Sequence, residues 1–483
     1  MYRDIARLDK TLRPYQQTAK ENIFVAWDDC DNVMFQMPTG TGKTRLFTSI
    51  ISDIKAWGVL HQRTPRILII AHRVELIEQI SDSLNKYKVA HGIIAGGKER
   101  DLSPQVQVAS IQTITHRTNS NLADSLAVDY VIIDEAHHST ANSYKKLWAF
   151  YPSAKKLGVT ATPWRMNHLG FTQLYDRLIV SKSIKEFIAD GWLAPYVYYS
   201  INDNSQIHQD INSIEEFDVE GDYKISALER VVDNGSIRAN LLNSYLKLAK
   251  GKKGIIYSVS RKHSDHICEE FKTAGFNIVR IDSETPREER RLYVQRFRKG
   301  LIDIIVNVDI FSEGFDCPDI EFIQLARPTK SLVKYLQQVG RGLRPTAGKN
   351  KCIILDNVGS HIEFDLPDAD RDWTTEFIGE TQIRKKRMST SHVSAVAQER
   401  TFDEGSEELG LIQEIESSHT EPKQNDGPKG YEWSENDDAL LRTLYIDRKC
   451  PVDVVSSVFQ MEESEIENRL RFLGLKVDGE ENC

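Results

Sequence analysis

The chain has 483 residues, of which 40% are apolar and 28% charged, and this length corresponds to about three globular domains. No apolar run approaches the about 20 residues of a membrane-spanning helix, and the start, MYRDIARLDK, lacks the apolar segment of a secretory signal. Six cysteines lie too far apart for a C-x-x-C pair, which argues against a disulfide framework or a local zinc site. These features predict a cytoplasmic protein without a membrane contact. Because the net charge is −9, any nucleic-acid contact must use a local basic surface.

Short β-branched runs alternate with amphipathic helices from residue 32 to about residue 360. Strands are predicted at 33–37, 67–71, 129–133, 155–159, 254–259, 278–282, 302–308, 322–326 and 351–355, and helices at 74–87, 261–274, 286–298 and 331–339. Strands that alternate with helices form parallel sheets with both faces covered. Residues 201–235 lose this alternation. The sequence therefore predicts two α/β lobes, at 1–200 and 236–375, with a joining segment at 201–235.

The composition changes after residue 375. Residues 376–430 contain a basic run at 384–387, a Ser/Thr-rich stretch and six acidic side chains between 403 and 416, which predicts a charged linker. In residues 431–483 apolar side chains such as Leu444, Ile466 and Leu470 recur at helical spacing. This pattern predicts a small all-α domain of three short helices.

The first motif with a defined chemistry is P-T-G-T-G-K-T at residues 38–44, which follows a strand and opens a helix. Glycines let such a loop turn its amides toward phosphate oxygens, and the helix N-terminus adds a positive dipole. The motif predicts a nucleoside-triphosphate site formed by Pro38, Thr39, Gly40, Thr41, Gly42, Lys43 and Thr44. Lys43 would reach the β- and γ-phosphates, and Thr44 would bind Mg²⁺. The strict pattern has glycine at position 37, where this chain has Met37.

The second motif is D-E-A-H-H at residues 134–138, directly after an apolar strand. Adjacent carboxylates at the end of a buried strand suit a site that binds a metal and a nucleotide. Asp134 would hold the Mg²⁺ ion, and Glu135 would polarise the attacking water. A lone Asp-Glu pair after a strand is more often a solvated loop, but the P-loop earlier in the chain makes that interpretation weak.

Together these motifs make the chain resemble the DEAH-type helicases and translocases of superfamily 2, in the branch of the XPB-like and restriction-subunit motors. Further motifs follow in the order of that family: L-R-P-Y-Q at 12–16, A-H-R at 71–73, S-I-Q-T at 110–113, T-A-T-P at 160–163, S-E-G-F-D at 312–316 and Q-Q-V-G-R-G-L-R at 337–344. The resemblance covers residues 10–360. It implies two tandem RecA-like lobes that bind ATP and Mg²⁺ between them and couple ATP hydrolysis to movement along nucleic acid.

The resemblance also implies roles for single residues. In the first lobe it places Arg13 and Gln16 at the adenine, Arg73, Ser110, Gln112 and Thr113 at the nucleic-acid backbone, and Thr160 and Thr162 in the coupling of hydrolysis to lobe movement. In the second lobe it places Gly314, Asp316 and Gln337 at the nucleotide. Arg341 and Arg344 would reach over from that lobe to the γ-phosphate, as arginine fingers do.

Three questions stay open at the level of sequence. The R-P-Y-Q, D-E-A-H-H and T-A-T-P-W-R strings are closest to DNA translocases, so DNA is favoured over RNA as partner, with an RNA-dependent helicase as the alternative. A nucleotide-gated clamp that recruits a partner through residues 431–483 is a further alternative. Those residues resemble Myb/SANT-like modules, but their acidic side chains outnumber the basic ones by seven, so protein docking and DNA contact are equally good predictions.

The mixed charges at 284–291 predict a solvated helix face.

Overall fold

The structure, a computed structural model, describes residues 5–6, 9–97, 99–116, 126–308, 317, 319–379, 412–415, 441–442, 445, 452, 463–473 and 475. The chain divides into two compact units. The first comprises Met1–Ala6 and Ala19–Lys423, and the second comprises Arg7–Thr18 and Gln424–Cys483. In the described ranges, no helix has the length and apolar character needed to cross a membrane.

The first unit contains two seven-stranded sheets, each the centre of one α/β lobe. In lobe 1 the strands are β1 (Asn32–Gln36), β2 (Ile67–Ala71), β3 (His91–Ile94), β4 (Val106–Ser110), β5 (Tyr130–Asp134), β6 (Lys155–Thr160) and β7 (Arg177–Val180). They are ordered β3-β4-β2-β5-β6-β1-β7, and every pair is parallel. The helices before and between these strands, and directly after β7, are α1 (Pro14–Asp29), α2 (Lys43–Leu60), α3 (Val74–Lys86), α4 (Ile111–Thr115), α5 (Asn142–Phe150) and α6 (Ile184–Ala189).

Fully buried strands form the middle of this sheet. All residues of β2, β4 and β5 are buried, because helices cover both faces of a parallel sheet. The edge strand β7 is partly exposed along its whole length. The apolar runs of β2 and β5 predict strands, while β4, which contains Gln107 and Ser110, the short β3 and the exposed β7 carry no clear signal in the sequence.

The strands of lobe 2 are β8 (Tyr196–Ser200), β9 (Gly254–Tyr257), β10 (Ile278–Ile281), β11 (Ile304–Asn307), β12 (Phe322–Leu325), β13 (Cys352–Asp356) and β14 (Gln413–Ile415). They are ordered β10-β11-β9-β12-β13-β8-β14, and only β14 runs antiparallel to its neighbour. The helices of this part of the chain are α7 (Gln206–Asn212), α8 (Ile225–Val232), α9 (Gly235–Leu248), α10 (Arg261–Thr273), α11 (Arg287–Arg298), α12 (Leu332–Gly342), α13 (Ser360–Phe364) and α14 (Trp373–Ile378). The predicted fold class of two tandem parallel-sheet lobes is confirmed.

The domain boundaries differ from those that the sequence predicts. Strand β8 precedes residue 201 but belongs to the second sheet, because it pairs with β13. The predicted joining segment at 201–235 contains α7 and α8. Within the segment predicted as a charged linker, β14 pairs with β8 at the edge of the second sheet. These pairings join segments that are distant in the sequence, so local composition could not indicate them.

In the second unit, the described part of residues 431–483 contains α15 (Glu463–Phe472). Ile466 and Leu470 of this helix are buried together with Leu441, and four further apolar side chains pack against them: Tyr445, Val452, Leu473 and Leu475. The packing agrees with the predicted helical spacing. Most residues of the other two predicted helices lie outside the described residues. The basic run at 384–387 and the motif at 312–316, with Gly314 and Asp316, lie outside them entirely.

A buried histidine stands at the start of α10. The backbone N–H of His263 donates to the Ser260 hydroxyl at 3.1 Å, which caps the helix. The ring nitrogen Nδ1 accepts a hydrogen bond of 3.4 Å from the backbone N–H of Val259. The side chain is fully buried, and this burial lowers the pKa of His263 to about 4, although the nearby Asp233 carboxylate opposes the shift.

This pKa predicts a specific loss of stability in acid. The unfolded chain takes up a proton near the ordinary histidine pKa, whereas folded His263 does so only near pH 4. The free energy of unfolding should therefore fall on the order of 3 kcal/mol between pH 7 and pH 4 through this group alone. We expect His263→Asn, measured by urea unfolding over that range, to lack this part of the pH dependence. The exposed His61→Asn is the control; if both variants follow the wild-type slope, His263 is not the responsible group.

Candidate nucleotide and nucleic-acid site

The order of strands in lobe 1 brings the predicted motifs to one edge of the sheet. Strand β6 lies between β1 and β5. The P-loop follows β1, Asp134 ends β5, and Thr160 ends β6. Since the carboxyl ends of parallel strands meet at the same edge, the three segments lie side by side. The order of these segments in the sequence does not by itself require them to be neighbours.

The P-loop has the backbone geometry of a phosphate-binding turn. Gly40 and Gly42 have φ angles of 87° and 90°, a left-handed conformation that favours glycine, and Gly42 precedes the first turn of α2. The Thr41 hydroxyl closes the loop by donating to the carbonyl oxygen of Pro38 at 2.7 Å. The backbone amides at the start of α2 and the dipole of this helix thus lie at the edge where phosphate oxygens would bind.

Met37, the departure from the strict pattern, fits its place in the sheet. Its backbone N–H donates to the carbonyl oxygen of Thr160 at 2.9 Å, which extends the pairing of β1 with β6 by one residue. Its side chain is fully buried. An extended, buried position does not need glycine, so the loop begins its turn after Met37 without strain.

Lys43 lies at the centre of a charged cluster. Its ammonium donates to two carbonyl oxygens at the start of the loop, at 3.1 and 3.4 Å. Burial lowers the pKa of Lys43, the carboxylates of Glu135 and Asp134 oppose this shift, and the guanidinium groups of Arg341 and Arg344 lower the pKa further. The two arginines of lobe 2 therefore lie within electrostatic range of the P-loop lysine.

The Asp-Glu pair sits on a constrained turn. Glu135 has a φ of 50°, a left-handed conformation that is uncommon for a non-glycine residue. Its backbone N–H donates to the Asp134 carboxylate at 3.1 Å. Both side chains are nearly buried. Such a conformation persists only where the surroundings fix it, and it directs two adjacent carboxylates to one edge of the sheet.

A chain of polar contacts connects Glu135 with the segment after β6. Nδ1 of His137 lies 3.4 Å from the Glu135 carboxylate and 3.1 Å from the Thr160 hydroxyl. The backbone N–H of Thr162 donates to that same hydroxyl at 3.1 Å. The two threonines predicted to couple hydrolysis to movement thus contact the predicted catalytic carboxylate through one imidazole.

Three histidine rings extend this chain toward the predicted nucleic-acid residues. The His137 and His138 rings are 4.2 Å apart between centroids, and the His138 and His72 rings are 4.3 Å apart. The Gln112 side chain donates to the backbone carbonyl of His72 at 3.0 Å, and the Ser110 hydroxyl donates to Gln112 at 2.6 Å. The motifs in the sequence indicate each histidine but not the contacts between their rings, which depend on β2 and β5 lying side by side.

The other predicted nucleic-acid residues flank this group. Arg73 is exposed and precedes the first turn of α3, and Thr113 is half-buried in α4.

The two residues predicted to contact adenine, Arg13 and Gln16, belong to the second unit. There the Gln16 side chain accepts a hydrogen bond of 2.9 Å from the Arg13 backbone N–H.

Helix α12 carries the lobe 2 motif directly onto the P-loop. A Cβ atom added to Gly340 would lie 2.8 Å from Cβ of Thr39, so the helix backbone touches the loop and only glycine fits. A Cβ atom on Gly40 would in turn lie 3.1 Å from Cγ of Arg344. Gln337 and Arg341, on the same helix, are buried. We call α12 the arginine helix.

The end of the arginine helix is fixed by partners that the motif does not predict. The Lys349 ammonium donates to the carbonyl oxygens of Gly342 and Arg344, at 2.5 and 2.9 Å. The backbone N–H of Ala194 donates to the Leu343 carbonyl at 2.7 Å. These contacts satisfy carbonyls that a helix end leaves without an intrahelical partner.

The two lobes also meet away from the P-loop. Arg287 of α11 pairs with Glu78 of α3, and Arg290 pairs with Glu75 at 3.1 Å. The prediction of a merely solvated face at 284–291 is therefore wrong for these two arginines. The signal was ambiguous because their acidic partners lie in the other lobe.

A cavity of about 500 Å³ lies between the lobes at this edge. Its lining includes the P-loop residues Pro38 and Thr39, Thr162 after β6, and Gly340 of the arginine helix. Mg²⁺ prefers oxygen ligands, which the hydroxyl of Thr44 and the carboxylate of Asp134 provide. The amides of the loop and three cationic side chains suit a triphosphate, so the residues present fit Mg²⁺ and ATP.

Two protein families match the chain. The family described as "Type III restriction enzyme, res subunit" matches residues 9–165, and "Helicase conserved C-terminal domain" matches residues 237–346. The two matches fall on lobes 1 and 2, respectively, apart from the first residues of the former.

Among similar proteins is a 51.5 kDa protein of Lactococcus phage (isolate 7-9), 36% identical over 346 residues, which are 72% of this chain and 70% of that protein. A protein named as the ATP-dependent helicase IRC3 of Saccharomyces cerevisiae is 30% identical over 370 residues. That match spans 72% of this chain but only about half, 52%, of the yeast protein.

Among solved structures, a fragment described as an HsdR subunit of a type I restriction enzyme from Vibrio vulnificus YJ016 has the same fold. The TM-score is 0.59 at 23% identity, over 78% of this chain and 69% of that one. The two family matches and the relatives identify the group to which the protein belongs. The chain is a member of helicase superfamily 2 and an ATP-hydrolysing enzyme.

Proposed function

We propose that the chain is an ATP-dependent DNA helicase or translocase, in which hydrolysis between two lobes is coupled to movement along the nucleic acid. The observation that carries this proposal is the contact of the arginine helix with the P-loop at Gly340 and Thr39. It brings the guanidinium groups of lobe 2 close to Lys43 in lobe 1. A triphosphate held by lobe 1 would then meet cations that arrive only when the lobes are closed.

Each side chain in the cluster has a proposed task. Lys43 and the amides of the P-loop bind the β- and γ-phosphates, and Thr44 and Asp134 hold Mg²⁺, which neutralises phosphate charge when bound. Glu135 orients the attacking water and accepts its proton. Arg341 and Arg344 stabilise the charge that develops on the transferred phosphoryl group.

The contacts around Glu135 suggest how turnover is linked to the bound strand. His137 contacts both Glu135 and Thr160, so displacement of the segment after β6 would move the catalytic carboxylate. His137 also contacts the His138 ring, which contacts the His72 ring. The backbone carbonyl of His72 accepts a hydrogen bond from Gln112. We infer that a strand bound at Ser110, Gln112, Thr113 and Arg73 influences the orientation of Glu135 through this series of contacts.

DNA is the proposed polymer. The family that matches residues 9–165 is named after a restriction enzyme subunit, and the D-E-A-H-H and T-A-T-P-W-R strings resemble those of DNA translocases. Hydroxyl, amide and arginine groups contact phosphates and not base edges, so little sequence preference is expected. Residues 431–483 are proposed to form a small helical module, a view supported by the packing of Leu441 against Ile466 and Leu470.

Replacing the catalytic carboxylate should stop turnover but not binding. We expect Glu135→Gln to lower kcat at least about 10²-fold, because a general base contributes on this order. The affinity for ATP should stay within a few-fold of wild type, since Lys43 and the P-loop are unchanged. Steady-state hydrolysis and fluorescent-nucleotide titration measure the two quantities. Hydrolysis at the wild-type rate would remove Glu135 from the mechanism.

Replacing either arginine finger of lobe 2 should likewise lower turnover without lowering the affinity for ATP. Arg341→Ala and Arg344→Ala are expected to lower kcat by about 10³-fold or more, with little change in ATP affinity, because fingers act on the transition state. The exposed Arg296→Ala on α11 removes an equal charge from lobe 2 and should behave as wild type. Equal losses of binding and turnover would indicate misfolding instead of a catalytic role.

The choice of polymer is tested by stimulation of hydrolysis. Single-stranded, duplex and forked DNA should raise kcat several-fold, and RNA of the same sequence should raise it less. A larger effect of RNA would favour the RNA-dependent alternative. Nucleic-acid binding with no multiple turnover would instead favour a nucleotide-gated clamp.

A further inference from the structure

Residues 360–379 leave lobe 2 after β13 and end inside lobe 1. We call this segment the return strap. Phe377 of the strap is 5% exposed and belongs to the core of lobe 1, together with Met34, Phe171 and Tyr175. The backbone N–H of Phe171 donates to the Phe377 carbonyl at 2.8 Å, and the two rings are stacked with an angle of 14°. The last turn of the strap is therefore part of lobe 1 in packing, although it follows lobe 2 in sequence.

Lobe 1 leaves room for this segment at one glycine. A Cβ atom on Gly170 would lie 2.4 Å from the carbonyl oxygen of Ile378 and 2.5 Å from that of Phe377. Any other residue at this position would force the strap away from the loop that precedes Phe171. The contact thus depends on backbone approaching backbone, not only on the buried ring.

The other end of the strap is attached to the arginine helix. Tyr335 of that helix donates from its hydroxyl to the Asp365 carbonyl at 3.1 Å, and its ring is stacked on Phe364 at 5.4 Å between centroids. The Tyr196 hydroxyl donates to the Asp368 carboxylate. These contacts join α12, β8 and the strap, and Tyr335, Tyr196 and Asp368 are buried.

The middle of the strap has little slack. The Arg371 guanidinium donates to four carbonyl oxygens of the strap itself, at 2.9 to 3.0 Å, those of Phe364, Leu366, Pro367 and Ala369. The strap cannot lengthen without breaking these hydrogen bonds. Pro367 and residues 369–373 also line the cavity that Pro38, Thr39 and Gly340 line, so this compact part crosses the cleft beside the P-loop.

We propose that the return strap holds the arginine helix against the P-loop while no nucleic acid is bound, with Phe377 as its anchor in lobe 1. Opening the cleft requires either unfolding the middle of the strap or withdrawing the Phe377 ring into water, and both are unfavourable. The strap thereby raises the effective concentration of Arg341 and Arg344 at the triphosphate. Phe377 is a positioning residue, because it acts through the arginine helix. This inference rests on the proposed function, in which those arginines serve turnover.

The strap predicts a defect that nucleic acid repairs. Without the anchor, only part of the molecules would be closed, so Phe377→Ala should lower kcat in the absence of polymer on the order of tenfold. Saturating DNA binds both lobes and brings them together itself, so its presence should restore kcat to within about twofold of wild type. The ratio of stimulated to basal turnover should therefore rise. Phe377→Leu, which keeps an apolar anchor, should stay near wild type, and Gly170→Ala should behave as Phe377→Ala.

The control removes similar bulk from the same core. Leu147 is fully buried in the core of lobe 1 and does not belong to the strap, so Leu147→Ala destabilises lobe 1 without releasing the anchor. It should lower basal and stimulated turnover alike. If Phe377→Ala gives that same pattern, or leaves basal turnover unchanged, the strap has no positioning role.

The distance between the lobes provides a readout that does not depend on activity. Labels introduced as non-canonical amino acids at the exposed Lys145 and Lys299 report on lobes 1 and 2. Their separation should increase in Phe377→Ala and Gly170→Ala but not in Leu147→Ala, and an unchanged separation would overturn the proposal. Absence of ATP turnover in the wild type with every polymer would reject the proposed function, while the distances would still decide whether the strap holds the lobes together.

Discussion

The close contact between Gly340 of the arginine helix and Thr39 of the P-loop is the constraint on which the site depends. It gathers Lys43, Arg341 and Arg344 near two carboxylates, in surroundings where burial already lowers the lysine pKa. Within this cluster three cations and a helix N-terminus outweigh two anions, so the surroundings of Lys43 have an excess of positive charge. A bound triphosphate would relieve that excess. Closing the lobes and binding phosphate are thus expected to favour each other, which is the property that an ATP-driven motor requires.

The sheet of lobe 1 places further motifs beside this contact, because the ends of its neighbouring strands lie together. Because β1, β6 and β5 are neighbours, the P-loop, Thr160 and Asp134 lie together, and because β2 lies beside β5, the His72 ring contacts the His138 ring. Close-packed side chains transmit displacements because they leave no free volume to absorb them. The three imidazoles connect Gln112 with the Glu135 carboxylate through contacts between 2.6 and 4.3 Å, and the proposed function uses this connection.

The lobes are less separate than their sequence order implies. Strand β8 leaves lobe 1 to join the second sheet, and the strap returns from the second sheet to the core of lobe 1. Because the chain crosses between the two lobes in both directions, the distance by which the lobes can separate is limited. In such an arrangement the nucleic acid does not have to assemble the site from two free bodies; it acts on lobes that already lie close together, and small displacements suffice to change the position of the arginines.

The sequence alone determined those features that neighbouring residues control. Apolar runs predicted most of the central strands, because burial on both faces demands them, but not β4, which contains Gln107 and Ser110. The P-loop, Asp134-Glu135 and the Q-x-x-G-R-x-x-R string were visible because their spacing is set by one loop or one helix. Tertiary structure decided the features that the sequence did not predict. These are the pairing of β8 and β14, the contacts among the three histidine rings, the partners of Arg287 and Arg290, and the burial of Phe377 in lobe 1. Each of these joins residues far apart in the chain. A single phenylalanine near the predicted end of lobe 2 has no local property that reveals which core will bury it.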